Sequence, residues 1–178
     1  MILIENYIWL FPILFILHDF EEIIGLGIWY QKSKEKLKIR FPKISRTYEK
    51  MYANYSTEGM ALAVYEELII CVFVCGISYY FNFYMLWIGV FIGFILHMMI
   101  HILQAIIWLG YIPALATSII ITPISIVVLI KSIQTVEVTF GEIILWCLIG
   151  SIIIVSNLKF SHFLMNKFSI SIKKYSNN

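Results

Sequence analysis

The chain has 178 residues, 61% hydrophobic and only 13% charged, with a formal net charge of +2 and a mean hydropathy of +0.87. Charged residues make up about a quarter of an ordinary soluble domain, so these values exclude a water-soluble globular domain and indicate a polytopic membrane protein. Cys71, Cys75 and Cys147 all fall in apolar runs, which argues against a disulfide framework and for small packing residues.

A helix that crosses a bilayer needs about 20 largely apolar residues. Five runs qualify, roughly residues 7–30, 59–80, 85–109, 111–130 and 138–158. The expected fold is an all-α membrane helix bundle, one domain over residues 1–178 with five transmembrane helices. No basic stretch or small-residue cleavage site marks the N-terminus, so no cleavable signal peptide is expected.

The first run is interrupted midway by His18-Asp19-Phe20-Glu21-Glu22. A charged side chain at a bilayer centre costs at least about 2.5–3.5 kcal/mol. No Lys or Arg lies between Tyr7 and Tyr30 to offset it. A metal ion, a proton relay or a cationic substrate is therefore expected to do so. Residues three and four apart share a helix face, so His18, Glu21 and Glu22 project together. Asp19 points about 100° away from His18.

Residues 31–58 form the one long connection and hold eight of the thirteen basic residues, from Lys32 to Lys50. Residues 44–56 within it could form a short interfacial helix carrying Tyr48, Met51, Tyr52 and Tyr55. Four more basic residues lie in the tail, 159–178, leaving only Lys131 elsewhere. With five spans the connection and the tail share a side, and the positive-inside rule makes that side cytoplasmic. The N-terminus is then outside and the C-terminus cytoplasmic, in a multi-pass protein of the cell membrane. Attraction to anionic lipid accounts for the basic segments, and nothing else marks a nucleic-acid partner.

In the second run Gly59, Ala63, Glu67, Cys71 and Cys75 form a four-residue stripe of small residues around one carboxylate. Glu67 is the inward candidate. Glu66 points about 100° off it, toward a neighbouring helix or a second ligand position. The third run places Gly89, Gly93, His97, His101 and Ala105 at the same spacing. Glycines so spaced let helix backbones approach closely, and paired histidines at i, i+4 are a familiar metal-binding geometry. Gln104 follows on the histidine face. His18 and His97 are expected near the centres of their spans, and Glu22, Glu67 and His101 together in one layer about one helical turn, about 6 Å, further inward.

The fourth run opens with Tyr111-Ile112-Pro113-Ala114. The hydroxyls of Thr117, Ser118, Thr122 and Ser125 either line a cavity or bond their own backbone near Pro123, the second being the simpler reading. The fifth carries Glu142 at its outer end. Trp9, Trp29, Trp87 and Trp108 sit near span ends, as in an interfacial aromatic belt.

Imidazoles with carboxylates suit zinc, iron or manganese. The expected ligands of this divalent ion are His18, Glu22, Glu67, His97 and His101. Glu21 or Glu66 is then available as a general base. Asp19, Gln104 and Tyr111 are candidate supporting or substrate-contacting groups. The expected activity is that of an intramembrane metal-dependent enzyme, hydrolase-like, acting on a lipid or lipid-linked substrate that arrives from the bilayer. A proton or divalent-metal carrier is the alternative, although the chain has no inverted repeat of the kind carriers use. A non-catalytic accessory or immunity-type protein, with polar groups that only join helices, is the third reading.

The HDFEE stretch, a later histidine (His97 or His101) and the YIPA stretch together resemble the HXXEE family of small bacterial membrane proteins. That family has an H-x-x-E-E motif, another histidine and a Y-x-P-G motif. The resemblance runs from His18 to Pro113 and implies importance for His18, Glu21, Glu22, one third-run histidine, Tyr111 and Pro113. Ala114 stands where the family has glycine. The resemblance implies a bacterial inner-membrane bundle and names no reaction.

Overall fold

The computed structural model describes residues 4–176, and the regular structure of these residues is entirely helical. Helix α1 (Glu5–Ile8) is followed directly by α2 (Leu10–Arg40). Pro12 lies in the first turn of α2 and has no N–H to donate to the carbonyl of Ile8. That carbonyl instead accepts from Trp87 Nε1 at 3.1 Å and Cys75 Sγ at 3.3 Å. Trp87 is consequently 0% exposed. It belongs to the core and not to the aromatic belt expected from its place near a span end.

Helix α2 has 31 residues, about 46 Å at 1.5 Å per residue. It continues well past the apolar run, through most of what the sequence suggested was a loop. Lys, Glu, Gln and Leu are good helix formers, so loss of hydropathy after Tyr30 does not end the helix. Pro42 does, by excluding α geometry from Phe41, which has φ −136° and ψ 66°. Pro42 then opens α3 (Pro42–Tyr52). Helix α4 (Thr57–Tyr80) begins where the Ser56 hydroxyl accepts from the Gly59 N–H at 3.0 Å. Helices α5 (Tyr84–Trp108) and α6 (Leu115–Ile133) follow. Tyr111–Ala114 thus forms the connector before α6 and is not its first turn, because Ala114 sits at φ 68° in the left-handed region. Helix α7 (Phe140–Ser176) opens on a reciprocal cap, with Thr139 N–H donating to Glu142 and Glu142 N–H to the Thr139 hydroxyl. It absorbs the tail that the sequence suggested was a polar extension.

Among the described residues, four helices are long and apolar enough to cross a membrane: Thr57–Tyr80, Tyr84–Trp108, Leu115–Ile133 and Phe140–Tyr175. Helix α2 is long enough but carries Asp19, Glu21 and Glu22 within its apolar stretch, which sets it apart from these four.

Helix α5 packs against α7 and α6, while α4 packs against α7 and α2. The α5–α7 contact is backbone on backbone. A Cβ on Gly150 would overlap the Gly89 carbonyl, and one on Gly89 would overlap Trp146. The glycine half of the α5 stripe therefore faces α7. One turn further, where the glycines give way to His97 and His101, the helix faces α2.

Candidate metal centre

His18, Glu22, His97 and His101 come together between α2 and α5. One ligand atom from each lies within 4.8 Å of all the others. The rings of His18 and His97 are 5.6 Å apart, those of His18 and His101 5.3 Å, and those of His97 and His101 4.5 Å. His101 Nε2 is 2.9 Å from Glu22 Oε1 and 3.0 Å from His97 Nε2. One nitrogen cannot donate its single proton to both neighbours. The cluster therefore lacks the protons to pair all its lone pairs.

His18 shows where the missing partner would lie. Its Nδ1 is 3.1 Å from the Thr117 hydroxyl, which is itself 2.6 Å from Glu21 Oε2. A carboxylate only accepts, so the hydroxyl donates to Glu21 and accepts from His18 Nδ1–H. This fixes the tautomer and leaves Nε2 with a lone pair. Nε2 is buried and has no hydrogen-bond partner, on a residue that is 0% exposed. A buried acceptor without a partner is rare and costly. An imidazole held at one nitrogen by a carboxylate relay, with the other nitrogen free, is the common arrangement of a metal-ligating histidine.

The donor set fits an ion. Three nitrogens and one oxygen match a tetrahedral site, in which ligand atoms about 2.0–2.1 Å from the metal are about 3.4 Å from each other. Two of the separations, 2.9 and 3.0 Å, lie just below that figure, and none exceeds 4.8 Å. Small side-chain shifts would open the cluster around an ion.

Glu21 is placed differently from its neighbour. Its two oxygens accept four hydrogen bonds, from Tyr111 Oη at 2.6 Å, Ala116 N at 3.2 Å, Thr117 N at 2.7 Å and the Thr117 hydroxyl. Helix α6 has no side-chain cap of its own. A carboxylate from α2 supplies it, using the orphan N–H groups and positive end of the helix dipole. This joins the two motifs physically: the second acidic pair member, Glu22, turns to the histidines, and the first grips the YIPA connector. The left-handed Ala114 aims that connector, so the backbone conformation glycine would favour is retained without glycine.

Glu67, expected among the ligands, lies outside the four-residue cluster. It accepts from Ser161 of α7 and lines a small second cavity with Asp19. Glu66 lies outside the cluster, and its Oε2 is buried without a hydrogen-bond partner. Gln104 lines the larger cavity beside the centre, about 220 Å³, together with Glu22, His101, Trp29, Tyr48 and Trp108. Burial, and then the charge of Glu22, push the Tyr48 phenol above its ordinary range, as its position on this wall requires. The residue that sequence reasoning missed is Thr117. It appeared as one of several α6 hydroxyls, and its partners lie 96 and 99 positions away.

Residues 9–128 match the family described as "Protein of unknown function with HXXEE motif". The chain belongs to the HXXEE family. The whole His/Glu cluster, the Glu21 cap and the YIPA connector fall within the matched HXXEE region, whereas α7 lies beyond it. No curated protein and no solved structure matches the chain.

Proposed function

We propose that this HXXEE protein is a multi-pass enzyme of the cytoplasmic membrane that holds one divalent ion on His18, Glu22, His97 and His101. The observation that carries the reading is the unpartnered, tautomer-fixed Nε2 of His18 beside two histidines and a carboxylate that compete for too few protons. Three imidazoles and one carboxylate suit zinc or iron(II), with manganese next. An ion so held, taking a water or substrate oxygen as a fifth ligand, would polarise a carbonyl or phosphoryl oxygen or acidify that water.

The substrate is a lipid or lipid-linked molecule. Support comes from the 220 Å³ cavity, which has Glu22, His101 and Gln104 at one end and Trp29, Tyr48, Trp108 and aliphatic side chains around the rest. An acyl or isoprenoid chain suits such walls, and Gln104 can orient a polar head. Glu21, with four donors on its oxygens, acts through Thr117 on His18 as a positioning residue. The proton-accepting role considered for it is correspondingly disfavoured.

Helix α2 is the fifth span in this reading, its acids facing the bundle. The N-terminus lies outside and the C-terminus in the cytoplasm, because twelve of thirteen Lys/Arg then face inward. Supporting this, the end of α7 meets the basic α2–α4 connection: Asn54 bonds Asn166, Ser56 bonds Ser169, and Lys173 bonds the Ala53 carbonyl.

Elemental analysis of the detergent-purified protein tests the proposal. Wild type should carry about one equivalent of transition metal, lost in His97→Ala. Full metal content in His97→Ala, or none in wild type purified without chelator, would overturn it. A carrier is the second reading, favoured by one observation: cavities abut the cluster from two sides, one touching Glu22 and His101, the other His97. Flux of Mn²⁺ or protons into liposomes, abolished in Glu22→Gln, would select it.

A further inference from the structure

The second cavity, about 60 Å³, shares only His97 with the centre proposed above. It lies between α2, α4, α5 and α7, and its polar lining consists chiefly of Asp19, Glu67, His97 and Asn157. No Lys or Arg is among its lining residues. Asp19 is 3% exposed, and its Oδ2 has no hydrogen-bond partner. Glu67 accepts from Ser161 through Oε1. No hydrogen bond joins Asp19 to Glu67 among the described residues, so a shared proton does not explain the pair. Phe15 and Phe94 complete the wall near Asp19 and offer no donor. Two acids therefore face one space, one of them with an orphaned oxygen, and no basic side chain lines it.

We propose that Asp19 and Glu67 form a second cation site, distinct from the histidine centre and separated from it by the His97 ring. Carboxylates with a side-chain amide within reach are hard oxygen donors, which select Mg²⁺, Mn²⁺ or Ca²⁺ over softer ions. The volume fits such an ion with one or two waters, a water occupying about 30 Å³. Ser161 and Asn157 come from α7, outside the region matched by the family. The bound cation thus ties α7 to the motif-bearing helices. The site does not depend on the histidine centre holding metal.

The test is a Mn²⁺ titration of the full-length, chelator-stripped protein in detergent, with free Mn²⁺ read from its EPR signal. Wild type should bind two equivalents, Asp19→Asn/Glu67→Gln one, and His18→Ala one. The single variants Asp19→Asn and Glu67→Gln keep one carboxylate each and should weaken one of the two sites at least tenfold. They serve if the double variant does not fold. Loss of one equivalent in the acidic variants with retention in His18→Ala supports this site even if the histidine centre proves empty. Equal binding by wild type and the acidic variants overturns it. So does a single equivalent in wild type that disappears in His18→Ala.

Discussion

Replacing Thr117 by valine removes one hydroxyl and keeps the side-chain shape. In the structure that hydroxyl joins Glu21 Oε2 at 2.6 Å to His18 Nδ1 at 3.1 Å. Glu21 keeps Tyr111 Oη, Ala116 N and Thr117 N, so α6 stays docked. A hydrogen bond to a charged group contributes about 1.5–3 kcal/mol, and with three donors remaining the loss of stability should be near the bottom of that range. The effect on the centre is larger in kind. Without its acceptor, His18 either keeps Nδ1–H unpaired or moves the proton to Nε2 and loses the ligating lone pair. Either change costs about 1–3 kcal/mol, about 5–150-fold in metal affinity, a range that spans the roughly 10–100-fold effect of removing such a support. Chelator competition at fixed pH measures it directly. Thr117→Ser should bind as wild type. Thr117→Val with unchanged affinity, or Thr117→Ser as weak as Thr117→Val, would refute the relay.

Three further outcomes follow from other parts of the structure. Ala114 holds φ 68°, a conformation that costs a residue with a Cβ about 1–2 kcal/mol; Ala114→Gly should raise the unfolding midpoint in detergent, and a lowered midpoint would contradict the strain. A Cβ at Gly150 would overlap the Gly89 carbonyl, so Gly150→Ala should destabilise the α5–α7 contact by about 1–3 kcal/mol, read as a lower midpoint on size exclusion after heating. Imidazoles ligate only when neutral, so protons compete with the metal; affinity in chelator competition should be highest at pH 8 and weaken on acidification. An affinity unchanged between pH 8 and the pH at which the fold is lost would mean that histidines are not the ligands.

Much of the centre was legible because it is local. His18 to Glu22 and His97 to His101 are each one helical turn, and polar groups in an apolar run declare themselves. What periodicity could not give was the pairing between turns. Glu21 and Glu22 differ by one position, and only the tertiary structure turns one to α6 and the other to the histidines. Glu67 faces the neighbouring chamber, where Ser161 of a distant helix donates to its carboxylate. Thr117 looked like any helix hydroxyl. Hydropathy marked where the bilayer-compatible stretches stop, yet α2 and α7 continue as helix beyond them; the α2 extension is rich in Lys, Glu and Leu, good helix formers, until Pro42. Gly150 carried no stripe of its own, so its close contact with Gly89 was invisible until the two helices were placed side by side.

X-ray absorption at the edge of whichever metal co-purifies tests the coordination most directly. Three imidazole nitrogens and one carboxylate oxygen should surround the ion at about 2.0–2.2 Å, and one imidazole should vanish from the outer-shell scattering in His18→Ala. A spectrum of a hydrated ion with no imidazole signature, or one unchanged by His18→Ala, would contradict it.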